Sequence, residues 1–305
     1  MPEIAFIIAN MSRCHCLPLL MSIVLLSWVL HGCSLLSQEK FEPLQTFQDP
    51  LSIGGLGPKM VVIPAGSFIM GPSPDEPLQL AKEKPRHKVT INNPFAISQY
   101  EITFADFDKF VAATGYRKPS DKGWGTAHWG RGNMPVFDVT WYDAQNYIEW
   151  LSEQTGERYQ LPAETQWEYA ARAGTKTAFH TGDCIHTDQA NFHGRYEFGD
   201  CPLPPLYRGK TTPVGSFEPN AWGLYDVHGN IFEWTRDCWH TNYVGAPDDE
   251  SGWMYEGDNV ECERRVLRGG SWSGRPADIR SAARSRNFAN FKSIFIGFRV
   301  VRDLN

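Results

Sequence analysis

Two stretches of this chain carry residue types that do chemistry. In Gly223–Trp234, read G-L-Y-D-V-H-G-N-I-F-E-W, Asp226 and Glu233 bracket a turn at Gly229-Asn230. Carboxylates around a tight turn offer the hard oxygens that calcium collects, about six to eight at a time. The same two acids also suit a plainer task, accepting from neighbouring backbone N–H groups. His228 sits inside this turn with no second histidine at metal-ligand spacing, so it reads as structural. The second stretch, Arg265–Arg302, sets Gly269-Gly270-Ser271 ahead of Arg275, Arg280, Arg284 and Arg286. Several guanidinium groups in one short segment suit recognition of carboxylates or backbone oxygens. Paired glycines let backbone pass close to another surface. No Ser/His/Asp nucleophile set can be assembled from these residues. Glu164, Glu168 and Arg172 read as structural ion pairs, with a catalytic carboxylate pair as the sharper alternative.

The elements that must hold these stretches are short. Met60–Gly71, with a turn at Pro64–Gly66, reads as two strands, and His87–Ile91 and Phe95–Tyr100 as two more. Thr103 opens a helix with Asp106 as its capping-box partner, and Gly115 ends it. Phe104, Phe107, Phe110 and Val111 form its apolar stripe. Thr140 and Asp143 repeat the device, with Trp141, Ala144, Tyr147, Ile148 and Leu151 facing inward and Gly156 closing. A third helix carries Trp167, Tyr169, Ala170 and Ala171 and ends before Gly174. Pro72–Pro85 reads as a polar, Pro-rich loop. Arg117–Asn133 is a Gly/Trp-rich loop whose Trp124, His128 and Trp129 either line a cleft or cover the core. Short strands, few helices and no βαβ alternation predict an α+β fold.

The chain has 305 residues, 42% hydrophobic and 21% charged, an ordinary globular composition. A net charge of −6 argues against nucleic acid as a partner. Leu17–Leu30 is almost wholly apolar, follows Arg13 and is short for a membrane span of ~20 residues. It ends in Leu30-His31-Gly32-Cys33, which looks like a bacterial lipobox with Cys33 as the lipidated residue. Residues 1–33 are therefore expected to be a lipoprotein signal peptide, with a plain cleaved leader as the alternative. Residues 34–57 are expected to be a polar tether and 58–305 one domain. The protein is placed in the bacterial cell envelope, held to a membrane by lipid, periplasmic or surface-exposed. Four cysteines fall in the domain: Cys184, Cys201, Cys238 and Cys262. An even number in an exported protein reads as disulfides. The preferred pairing is Cys184–Cys201 with Cys238–Cys262, because each pair closes one loop insertion.

The Gly223–Trp234 and Arg265–Arg302 stretches, with W-Y-D-A and Y-Q-L-P-A-E-T-Q-W-E-Y-A-A-R-A-G upstream, resemble the sulfatase-modifying-factor family, the formylglycine-generating-enzyme domain. The resemblance runs from about Met60 to Arg302. It implies a loop-rich α+β fold related to the C-type lectin fold. It implies calcium at the Asp226 side chain, the Gly229 and Ile231 carbonyls and the Glu233 carboxylate, and at a second site beginning at Asn191-Phe192, with Asp200 a weak addition. The family's oxidase members hold copper with two cysteines just after the Gly-Gly-Ser. Here Trp272–Ile279 has no cysteine. Copper(I) selects thiolates, so copper and formylglycine generation are not expected. Ser271, Trp272 and Arg284 are the groove residues that the resemblance retains, and Phe295 stands where an Asn is expected.

Two classes of function follow. The first is a binding or structural module of the envelope, taking an unknown protein or peptide ligand. The second is a cysteine-less enzyme like the members that act in pyoverdine maturation. Other relatives are variable proteins of diversity-generating retroelements. At their diversified positions this chain carries Ser273, Gly274, Ala277, Asp278, Phe288, Phe291, Ile294 and Phe295. At least two of Phe288, Phe291, Ile294 and Phe295 are expected to be exposed, a patch suited to a partner.

Overall fold

The computed structural model describes residues 41–125, 127–255 and 262–304. Its strands are β1 (Thr46–Phe47), β2 (Met60–Ile63), β3 (Gly66–Met70), β4 (His87–Ile91), β5 (Phe95–Ser98), β6 (Tyr159–Gln160), β7 (Phe232–Cys238), β8 (Arg264–Arg268), β9 (Ser285–Phe288), β10 (Ile296–Gly297) and β11 (Val301–Asp303). The helices are α1 (Phe104–Thr114), α2 (Trp141–Thr155) and α3 (Glu164–Arg172). This is the loop-rich α+β class expected from the sequence. Cys33 and the leader lie outside the described residues.

An antiparallel five-stranded sheet runs β1-β2-β5-β11-β6, so the chain's last strand sits between β5 and β6, both far earlier in the sequence. A second sheet runs β10-β7-β8-β9, with β10 parallel to β7 and the other pairs antiparallel. β3 and β4 form a separate ribbon. The start of the body differs from expectation. β1 pairs with β2 and Asp49 is buried, so residues 41–57 are not a free tether. Asp49 accepts from Tyr159 and Arg302, and those long-range bonds tie the segment down.

Local chemistry explains α1 and α2. Thr103 Oγ1 accepts from the Asp106 N–H at 3.1 Å, and Asp143 N–H donates to Thr140 Oγ1 at 3.0 Å. Gly115 and Gly156 close the helices at φ 71° and 77°, the left-handed region that glycine adopts at no steric cost. Phe104, Phe107 and Phe110 meet Tyr147, Ile148 and Leu151 in the larger core cluster. α3 is different, because every one of its residues is buried. Its first N–H, of Glu164, donates to the Asp237 carboxylate at 2.7 Å. A residue on β7 thus supplies the cap that the local sequence lacks.

Candidate functional site

β8 delivers the chain to the site. At its end Gly269 and Gly270 take φ 84° and 76°. A Cβ on Gly270 would lie 2.4 Å from Ile279 Cγ2 and 2.9 Å from the Asp278 carbonyl oxygen. Only glycine allows this fold-back, which lays the 271–278 loop against its own continuation. Ser271, Ser273 and Gly274 then form one wall of a cleft of about 290 Å³. Phe232 and Phe295 form an aromatic wall, and Leu80, Lys82 and Glu83 come from the loop before β4. Arg284 and Ser285 complete it.

The structure therefore brings Ser271, Arg284 and Phe295 together at one cleft, with Trp272 buried behind it. Trp272 stacks on Phe295 at 4.9 Å and meets the edge of Trp129 at 5.2 Å. Its indole N–H donates to the Ile294 carbonyl at 3.3 Å. Trp272 supports the wall and does not face the opening. Trp124, His128 and Trp129 do not line this cleft. Trp129 covers core, whereas Trp124 stands 64% exposed near Phe295. Of the suggested patch, Phe288 and Phe291 are exposed and Ile294 and Phe295 half-buried. The Arg264 guanidinium lies 4.6 Å over the Phe288 ring.

Of the four arginines whose types and spacing suggested ligand recognition, Arg280 and Arg284 turn inward, whereas Arg275 and Arg286 are exposed. Arg284 clamps Glu164, Nε to Oε1 at 2.6 Å and Nη2 to Oε2 at 2.7 Å, and its Nη1 donates to the Lys82 and His240 carbonyls. Its donors are spent within the protein, so it shapes the cleft from behind. Arg280 binds Glu76 and Glu83. Arg268 binds Glu168, which also holds Arg172 at 2.8 Å. The ion-pair reading of Glu164, Glu168 and Arg172 holds in the structure. Buried charges must be paired in this way. Asp278, at the cleft mouth, is held by Arg275 at 2.9 Å.

Lys82 is the functional candidate that sequence reasoning missed. Among the described residues its ammonium has neither ion pair nor hydrogen bond, and it lines the cleft. Burial lowers its pKa against the opposing charges of Glu83 and Asp278. It sits in a stretch legible only as polar, Pro-rich loop, and nothing local distinguishes it from Lys84. Ser271, Ser273, Ser285 and Lys82 thus offer hydroxyls and a cation in the same cleft as two aromatic rings. That set suits a peptide segment with an apolar side chain and a carboxylate.

The calcium expectation meets a mixed donor set. Asn191 and Gly229 form a parallel bridge, and Asn230 N–H donates to the Asn191 carbonyl at 2.8 Å. A Cβ on Gly229 would lie 2.2 Å from that carbonyl oxygen. The two expected segments therefore lie against each other, and Phe192 is buried beside them. Asn191 Oδ1 and Asp226 Oδ1 are buried without a hydrogen-bond partner, and such orphans fit a cation. Glu233 fits less well. Arg299 donates to both its oxygens at 2.5 and 2.7 Å, and Trp167 Nε1 donates at 2.6 Å. No three His, Cys, Asp or Glu side chains converge as a ligand set among the described residues. Carbonyl oxygens would have to supply most of the coordination.

Glu101, unnoticed in the sequence, joins this acidic group. It accepts from Asn230 Nδ2 at 2.6 Å and the Ile231 N–H at 3.1 Å. Burial, then the charges of Asp226 and Glu233, push its carboxyl well above the usual range. Burial pushes Asp226 up to about 6. His228 is buried; its Nε2 accepts from the His180 N–H at 3.0 Å and its Nδ1 lies 2.8 Å from the Ile279 carbonyl. Burial holds its pKa well below the ordinary value, so it stays neutral and structural. The structure pairs Cys184 with Cys201 and Cys238 with Cys262. None of these four sulfurs is a free thiol at the cleft.

Residues 51–304 match the family described as sulfatase-modifying factor enzyme 1-like domain. The chain is similar to the formylglycine-generating enzyme of Mus musculus, 30% identical over 294 residues covering 80% of this chain and 75% of that protein. It is also similar to the inactive C-alpha-formylglycine-generating enzyme 2 of Mus musculus, 31% identical over 258 residues covering 70% of this chain and 74% of that one. Among solved structures, PvdO from Pseudomonas aeruginosa aligns with a TM-score of 0.74 at 37% identity, covering 87% of this chain and all of that chain.

Proposed function

The chain belongs to the sulfatase-modifying factor enzyme 1-like family, and from that premise we propose that it is a binding member, an envelope-anchored module that captures a peptide or protein segment in the cleft beside Ser271. The observation that carries this reading is the state of the cleft's chemical groups. Trp272–Ile279 offers no thiolate, and the four cysteines of the folded body are paired with one another. Glu83, Arg284 and Asp278 are each spent on an internal ion pair. What remains is recognition chemistry: Lys82, three serine hydroxyls and the Phe232–Phe295 wall. A relative named as inactive supports the same direction.

In this reading Cys33 carries the lipid that holds the module at a membrane. Calcium, when bound, would be held at the turn by the Asp226 side chain with the Gly229 and Ile231 carbonyls, and at a second site by the Asn191 side chain with the Phe192 carbonyl. It would supply charge neutralisation that fixes the turn beneath the cleft. The Asn191–Gly229 bridge holds the two segments side by side.

A second reading, a cysteine-less enzyme, draws on the likeness to PvdO across nearly the whole folded body. One experiment separates the two. Fluorescence anisotropy against an arrayed peptide library is expected to select peptides carrying a carboxylate near an aromatic or aliphatic side chain. Lys82→Met and the cleft-filling Ser273→Trp are expected to weaken binding about tenfold or more while the melting transition is kept. Chemical conversion of a bound peptide, read as a mass change after incubation with the protein, would overturn the binding reading. Binding untouched by both substitutions would remove the cleft from it.

A further inference from the structure

A second cavity of about 290 Å³ lies between the β3–β4 ribbon and the end of α3. Its lining shares no residue with the cleft. Phe68, Tyr169 and Trp222 form its apolar floor, with Tyr169 centred 5.4 Å from Phe68 and 4.8 Å from Trp222. The Tyr169 hydroxyl donates to the Pro64 carbonyl at 3.2 Å, which anchors the middle ring.

The rim is cationic. Arg86, Lys88 and Lys176 are exposed at the cavity, and no ion pair engages them among the described residues. No lining residue is acidic. The one carboxylate beneath, Glu168, is already held by Arg172 and Arg268. On a chain of net charge −6, three unpaired cations around an aromatic floor are a local reversal of sign. Aromatic rings take a flat apolar body, and guanidinium and ammonium groups take anionic oxygens. The volume lies near the lower end of small-molecule sites, about 300 Å³, and so fits one or two rings.

We propose that this cavity binds a small aromatic anion, an aryl carboxylate or aryl phosphate, with its ring on Phe68, Tyr169 and Trp222 and its charge on Arg86, Lys88 and Lys176. The site is independent of the cleft reading.

Titration calorimetry on the purified full chain tests it with four probes: 2-naphthoate, 2-naphthyl phosphate, 2-naphthylmethanol and inorganic phosphate. At least one aryl anion is expected to bind, and to bind about tenfold or more tightly than either the neutral ring or inorganic phosphate. The tighter aryl anion assigns carboxylate or phosphate. The double substitution Lys88→Met/Lys176→Met changes only exposed side chains, and is expected to weaken the preferred probe about tenfold. Ser273→Trp, in the other cleft, is expected to leave this binding unchanged. Equal binding of 2-naphthylmethanol, no loss in the double variant, or no heat from any probe at millimolar concentration would overturn the proposal.

Discussion

Replacing Glu168 by Gln tests the buried charge network that anchors the end of β8. Glu168 is fully buried, accepts from the Gly71 N–H at 2.9 Å, and binds both Arg172 and Arg268. Arg268 immediately precedes Gly269-Gly270-Ser271, so this network fixes where the fold-back begins. Glutamine keeps the shape and the acceptor for Gly71 but removes the charge. Two buried guanidinium groups then face each other with less compensation. Breaking a buried pair in this way costs about 3–5 kcal/mol, against a total stability of about 5–15 kcal/mol for a domain. We expect about 3 kcal/mol, because the Arg268–Glu164 contact at 3.4 Å survives. Guanidinium unfolding followed by tryptophan fluorescence at pH 7 measures it. The pH dependence has a definite sign. Burial pushes the Glu168 carboxyl up, but Arg172 and Arg268 outweigh it and hold it below the usual range. A lowered carboxylate contributes stability above its unfolded value, about 4.3, and loses it as pH falls through the folded value. The gap between the wild-type protein and Glu168→Gln should therefore narrow from pH 7 toward pH 3. A loss under about 1 kcal/mol at pH 7, or a gap that does not narrow in acid, would refute the reasoning.

Gly270→Ala should lower stability by roughly 1–3 kcal/mol and weaken ligand capture at the cleft, since its Cβ would meet Ile279 and Asp278 at a positive φ; unchanged melting and binding would count against the fold-back. Calcium should raise the melting temperature, by about 2.7 kcal/mol of stability at a hundredfold excess over Kd, and Asp226→Asn should abolish most of that rise. Asp226 is raised to about 6 from 3.8, so without calcium its contribution is full below about pH 4 and is lost as pH rises through 6. The calcium effect should run the other way, fading as pH falls through 6. Cys33→Ser should move the protein out of membrane fractions, and unchanged partitioning would argue against lipidation there.

Much of the frame was legible in the sequence. Thr103, Thr140, Gly115 and Gly156 fix where α1 and α2 begin and end, because caps act within a few residues. Their apolar spacing names the core faces, since helical periodicity is a local property. The motifs named Ser271, Arg284 and Phe295, which the structure gathers at one cleft, and the loop-closing logic chose the disulfide partners found in the structure. Tertiary structure decided what the charged residues do. Arg280 meets Glu76 across 204 positions, Arg299 meets Glu233 across 66, and Asp237 caps α3 from 73 positions away. An arginine that recognises a ligand and one that neutralises a buried glutamate look identical in sequence; only burial and a partner distinguish them. The same reason hid Lys82. Its value lies in having no ion pair or hydrogen bond among the described residues at a cleft wall, which is a fact about the surrounding surfaces and not about the residue type.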